Sequence, residues 1–199
     1  MYEFGILRTD GENPENYNAK LLGPTTLGIE VTDKMLANRC GLGNLDPQHG
    51  PVPNPEVSAI EASLDYPLPP DKSMLVTIRP DADSIGAMSM FKIRLEKKSH
   101  EIERKLLTAI GRIDGLGFRC AKERFPWISK WQKEIVAINL IITGVSSIDR
   151  RVEEVSEILT GKIDIKQLEK IALLNAKPRA REKKFEIVQL LKPENTALF

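Results

Sequence analysis

Histidine, cysteine and aromatic residues are all scarce in this chain: 199 residues hold two His, two Cys and 6% Phe, Trp and Tyr. Cys40 and Cys120 have no metal-like spacing and form no disulfide framework, so they are expected to be buried or half-buried free thiols. A long apolar run is also missing. Ile135 to Val145 is the most apolar stretch, far short of the roughly 20 residues that cross a bilayer. The first residues, Met1-Tyr2-Glu3-Phe4-Gly5, lack a basic segment leading into an apolar one, so no signal peptide is expected. No membrane partner and a cytoplasmic location follow as expectations. An excess of one charge is absent as well. The formal net charge is +1, which creates no field for nucleic acid, and no helix-turn-helix or zinc-finger pattern is present. No stable nucleic-acid complex is therefore expected. Lys177, Arg179, Arg181, Lys183 and Lys184 form the one basic run, read as a solvated face.

The composition that is present, 41% hydrophobic and 29% charged, suits a globular chain of one domain. The pattern predicts a single α/β domain over 1–199 with a mainly parallel central sheet, helices on both faces and a helix-rich C-terminal part. Within it, 1–72 holds a strand, a helix and a long loop, 73–145 is the core, and 146–199 holds the last helices and a tail. Leu27 to Val31 reads as a short alternating strand, followed by a helix from Lys34 to Cys40 capped by Thr32 or Asp33. Residues 41–55 read as a long loop, and Asn54-Pro55 as the start of a helix through Leu64. Met74 to Ile78 is apolar throughout, as in a central strand covered on both faces. Ser99 is predicted to cap an amphipathic helix carrying Ile102, Leu106, Ala109, Ile110 and Ile113, ended by Gly115 and Gly117. Residues 118–131 read as an aromatic connector, and Glu134 to Val145 as a buried helix or strand. Ser147 heads a helix ended by Gly161, and Asp164 with Gln167 a capping box for one more over 165–174.

The chemically informative segment is Arg79-Pro80-Asp81-Ala82-Asp83-Ser84-Ile85-Gly86-Ala87, where the central strand gives way to a helix. Ligands of open α/β sheets collect beyond the carboxyl ends of the strands. Asp81 and Asp83 lie two residues apart, so in an extended segment both carboxylates would face one side. Hard oxygen ligands placed there suit Mg²⁺ or Mn²⁺. The alternative is that both acids cap the helix beginning near Ser84. Gly86 is expected to permit a tight turn into that helix.

Pro80 to Ala87, preceded by an apolar strand, resembles the first motif of the DHH phosphoesterase superfamily. That group includes family II pyrophosphatases, exopolyphosphatases and the RecJ nuclease. The resemblance covers roughly residues 73–95. It implies a two-Mn²⁺ hydrolase of phosphoesters or phosphoanhydrides, with Asp81 and Asp83 in the metal shell. The family's first-motif His falls on Ile78, and its Asp-His-His triplet is nowhere in the chain.

Of the two histidines, His100 sits among charged residues and reads as solvated. His49 ends Asn44-Leu45-Asp46-Pro47-Gln48-His49 inside the long loop, and loops carry a disproportionate share of functional groups. The expectation is that this loop brings His49, and Asp46 with it, beside Asp81 and Asp83. An imidazole among carboxylates suits Mn²⁺. Asp114 ends the amphipathic helix, where the dipole disfavours an acid. Arg79, inside the motif, is the best placed of Arg79, Lys92, Arg94 and Arg112 to contact phosphate. The reading is a phosphoesterase-like protein with His49, Asp81 and Asp83 holding one or two Mn²⁺ or Mg²⁺ ions. Asp46 or Asp114 serves as the base, and Arg79 steadies the phosphate. Its substrate is a phosphorylated small molecule or short nucleotide, and assembly into a homo-oligomer is left open. The alternative is a non-catalytic metal- or ligand-binding protein on the same fold.

Overall fold

A computed structural model of the protein describes residues 1–7, 19–50, 53–54, 56–98, 102–144, 146–163 and 167. Among the described residues, four strands form one parallel sheet: β1 (Glu3–Ile6), β2 (Thr26–Ile29), β3 (Asn44–Leu45) and β4 (Met74–Thr77), in the spatial order β1-β4-β2-β3. β4 is central, with Leu75 opposite Phe4 on one side and Leu27 on the other. The helices are α1 (Lys34–Ala37), α2 (Ala59–Ala62), α3 (Ala82–Leu95), α4 (Arg104–Leu116), α5 (Phe118–Arg124), α6 (Gln132–Thr143) and α7 (Ile148–Leu159). The chain is thus an α/β fold with a helix-rich C-terminal part, and no helix among the described residues is long and apolar enough to cross a membrane.

The two faces of the sheet are unequal. Leu27, Ile29, Leu45 and Leu75 join α2, α3, α4, α6 and α7 in the large core. Val76, next along β4 and so on the opposite face, joins Leu7, Val31, Leu36 and Cys40 in a smaller cluster under α1. All four residues of β2 are buried rather than alternating, because both faces are covered.

Several expectations are corrected. β1 precedes the first strand read from the sequence, in a segment where none was expected, and β3 lies inside the supposed loop 41–55; they are only four and two residues long and complete the sheet by backbone pairing. α1 ends at Ala37, capped by Asp33 through Met35 N and Leu36 N. α2 does not begin at Asn54. Ser58 caps it and Glu61 bonds back to the Ser58 amide, so a full capping box wins over an Asn-Pro start. Residues 118–131 are helical, as α5 and a 3₁₀ turn over Pro126–Trp131, with Phe118 and Trp131 buried and Trp127 exposed. Gln132 to Thr143 is a helix, not a strand. α4 is headed by Glu103 with no side-chain cap. Cys120 is exposed. Ser99, His100, the 165–174 helix and the basic run at 177–184 lie outside the described residues.

Gly86 does not serve a turn. It sits inside α3, and a Cβ there would collide with Ile60 Cδ1, so its bareness lets α2 lie directly on α3. Gly111 does the same for α2 on α4, since its Cβ would fall 2.5 Å from Ser58 Cβ. Gly115, one turn on, faces nothing within 4 Å. Gly111→Ala is expected to lower stability by about 1–3 kcal/mol through overpacking. Gly115→Ala should raise it by up to about 1 kcal/mol through helix propensity. Thermal melts of the two variants check the contrast, and equal effects would refute this packing.

Candidate functional site

β2 and β4 are neighbours, yet the helices that follow them diverge. α1 packs in the small cluster on one face and α3 in the large core on the other. A crevice must open between the carboxyl ends of two parallel strands whose connections leave in opposite directions, and such crevices are where α/β sheets bind ligands. The residues at this crevice are Glu30, just past β2, and the Arg79–Asp83 turn, just past β4. Asp46, just past β3, stands next along the rim.

The turn is organised by one carbonyl. Arg79 O accepts from Asp81 N at 3.0 Å, Thr77 Oγ1 at 3.1 Å and Ser84 Oγ at 2.9 Å. Asp81 is the N-cap of α3, its Oδ1 accepting from Ser84 N at 2.9 Å, with Ser84 Oγ accepting from Asp81 N in return. Asp83 is already helical, so the alternation that would put both acids on one side does not apply. Its side chain crosses to α2 instead and accepts from Ala59 N at 2.8 Å and Ile60 N at 2.7 Å. These are two of the amides that a helix start leaves without intrahelical partners. Asp83 is fully buried. Burial pushes its carboxyl up to about 7, against the pull of those two amides, and Asp114 and Asp81 add to the rise.

Glu30 is the residue that the sequence reading passed over. It has φ +52°, left-handed backbone that a non-glycine residue seldom adopts. Its Oε2 is shielded from solvent and has no hydrogen-bond partner among the described residues. Desolvation raises its carboxyl to about 10, and Asp83, Asp81, Asp114 and Asp46 all push the same way. The signal available in the sequence was its place: an acid ending an apolar strand run in a fold whose ligands sit at strand ends.

Asp46 and His49 form a pair. Buried Asp46 accepts at Oδ1 from both His49 N at 2.9 Å and His49 Nδ1 at 3.0 Å. A carboxylate acceptor selects the tautomer with hydrogen on Nδ1, which leaves Nε2 as the free ring nitrogen. The His49 side chain is 58% exposed. Asn44, at the head of the same motif, has a structural task, bridging Val31 N and Val31 O at 3.1 and 3.0 Å.

Asp114 lies on the last turn of α4 and is exposed, yet its carboxyl rises to about 6 through desolvation and then Asp81, with Arg79 pulling it back. Two of the other cations named from sequence are committed elsewhere. Lys92 pairs with Glu96 and Glu153, and Arg94 donates to Ser63 O and Tyr66 O. One electrostatic neighbourhood therefore gathers Glu30, Asp46, Asp81, Asp83, Asp114 and Arg79, with His49 attached through Asp46. As they stand, no three His, Cys, Asp or Glu groups among the described residues converge closely enough to share an ion. No family model, curated protein or solved structure matches the chain.

Proposed function

We propose that the protein is a divalent-metal-dependent phosphoesterase-like protein that hydrolyses a phosphoester or phosphoanhydride at the carboxyl edge of its sheet. The observation that carries this reading is Glu30: a strained residue with a buried, unpartnered oxygen amid four other carboxylates. Evolution and folding rarely retain uncompensated acids side by side, and strained backbone clusters at functional sites. A cation would satisfy that oxygen and neutralise its neighbours. Glu30 and Asp81 are the residues to hold it, joined by Asp46 or Asp114 through side-chain rotation, since the carboxylates do not yet converge. Asp83 braces α2 against the rim. Bound Mn²⁺ or Mg²⁺ would supply Lewis-acid charge and an acidified water. The Nε2 of His49, its ring held by Asp46, would exchange a proton with the reacting group, and Arg79 would meet phosphate. A cytoplasmic setting, with reduced cysteines, belongs to the same reading.

A second reading, metal or ligand binding without turnover, is favoured by one feature. Asp83, which the resemblance would place in the metal shell, spends both oxygens on α2 amides. Differential scanning fluorimetry and a phosphatase and phosphodiesterase screen separate the two. Wild type at pH 7.5 is expected to gain about 3 kcal/mol of stability from Mn²⁺ at a hundred times its Kd. Turnover should require Mn²⁺ and vanish in Asp81→Asn. A metal shift without turnover would select the binder, and no shift with any divalent ion would defeat both.

A further inference from the structure

Beside the acidic rim lies a cavity of about 600 Å³ between α2, α4 and α5. It shares structure with the rim without using the same groups. Gln48, in the wall, precedes His49 in the Asp46–His49 turn, while Arg112 and Gly115 of the wall flank Asp114 on α4. Two guanidinium groups, Arg112 and Arg124, line it, and both lie over the Phe125 ring, 5.8 and 5.4 Å from its centroid. Arg112 donates to Glu56 O at 2.7 Å, a backbone carbonyl that neutralises nothing. Arg124 has no carboxylate partner among the described residues. The ring thus holds two like charges close together over an open cavity. Among the described residues, neither carboxylate in the wall forms an ion pair with either guanidinium. Glu61 is taken up by Ser58 N at 3.3 Å and Ser58 Oγ at 3.1 Å, and Glu56 reaches Arg112 only by its carbonyl.

We propose that this cavity seats a second anionic group, a phosphate or carboxylate, on the same small molecule whose phosphoryl group is presented at the acidic rim. Arg112 and Arg124 are its partners. The proposal rests on the reading of the rim given above. Because the wall carries two carboxylates as well as two guanidiniums, a diffuse positive field is not what attracts the ligand. Directed, planar hydrogen bonding is, and guanidinium suits a carboxylate or phosphate for that reason. The substrate class that follows is a phosphoester carrying a second anion one short linker away, rather than a phosphomonoester of a neutral alcohol.

Calorimetric titration with two non-hydrolysable probes tests this: phosphonoacetate, which has two anionic groups, and methylphosphonate, which has one. Gly115→Met fills the cavity from a position with nothing within 4 Å of its Cβ, so the fold should tolerate it. Without metal, both probes are expected to bind wild type with Kd on the order of millimolar. Arg124→Ala and Gly115→Met should each weaken that binding at least tenfold, and Lys92→Ala, away from both the cavity and the rim, should leave it unchanged. With Mn²⁺, phosphonoacetate should bind wild type at least tenfold tighter than methylphosphonate, since two groups are then held at once, and both cavity variants should erase the preference. No metal-free binding to wild type, or binding that persists in both cavity variants, overturns the cavity assignment whatever Mn²⁺ does. Metal-free binding as described, with no preference gained on adding Mn²⁺, upholds the cavity and overturns the metal reading of the rim.

Discussion

Asp83→Ala is expected to destabilise the protein by about 3–5 kcal/mol, a large fraction of the 5–15 kcal/mol typical of a folded domain. Urea denaturation at pH 5.5 without metal is the measurement. The side chain is wholly buried and spends one oxygen on Ala59 N and the other on Ile60 N. Alanine leaves both amides unsatisfied, at about 1–3 kcal/mol each, and a cavity besides. One effect works the other way. The Asp83 carboxyl is raised to about 7 by burial, so the ionised form is itself a burden. The variant's deficit should therefore be smaller at pH 8 than at pH 5.5. Asp83→Asn keeps one acceptor and should fall between. A loss below about 1 kcal/mol at pH 5.5 would mean that the link from α3 to α2 is not what holds the rim together.

The parts of this architecture that were legible in the sequence are those whose signal is local. Met74 to Thr77 announces a strand buried on both faces, and Ser147 heads α7 by a cap that the structure uses, Arg150 N to Ser147 Oγ at 3.4 Å. β1 and β3 were not legible, because strands this short are specified by their partners in the sheet rather than by their own composition. The start of α2 was legible but misread. Asn54-Pro55 and Ser58-Ala59-Ile60-Glu61 both signal a helix start, and reciprocal bonding in the capping box outweighs a single Asx turn. The site divides in the same way. The motifs at Asp46–His49, Arg79–Asp83 and Asp114 stood out by residue type, and the fold places them in one electrostatic neighbourhood. The division of labour between Asp81 and Asp83 was hidden, because it depends on α2 arriving from elsewhere in the chain. Glu30 was hidden because one acid in an alternating segment looks like a solvent-facing position until the strand is known to be buried on both faces.

Glu30→Gln is expected to flatten the pH dependence of stability in the metal-free protein, leaving the part that belongs to Asp83 and Asp114. Below pH 4.5 the wild-type carboxyl is protonated in both folded and unfolded chains, and pH has no effect through it. Above that, the unfolded chain releases the proton while the folded chain, with its carboxyl raised to about 10, retains it. Folding must then take up a proton, so stability falls by about 1.4 kcal/mol per pH unit. Asp83 acts with the same sign from 3.8 to about 7, and Asp114 from 3.8 to about 6, the latter weakened by solvent. The three are neighbours and titrate together, so their slopes do not simply add. Glutamine keeps the shape of the side chain and has no proton to gain or lose. Allowing for partial solvent access, the variant should match wild type at pH 4.5 and exceed it by about 1–3 kcal/mol at pH 7.5, read by urea denaturation in EDTA. Mn²⁺ should then separate the two from the other side. It restores wild type at pH 7.5, because a cation lets the Glu30 carboxyl ionise in the folded chain and so removes the proton uptake that glutamine also removes, and it does less for the variant. Parallel stability profiles for wild type and Glu30→Gln between pH 4.5 and 7.5 would show that neither burial nor the neighbouring carboxylates raise the Glu30 carboxyl, and the case for a cation at the carboxyl edge would go with them.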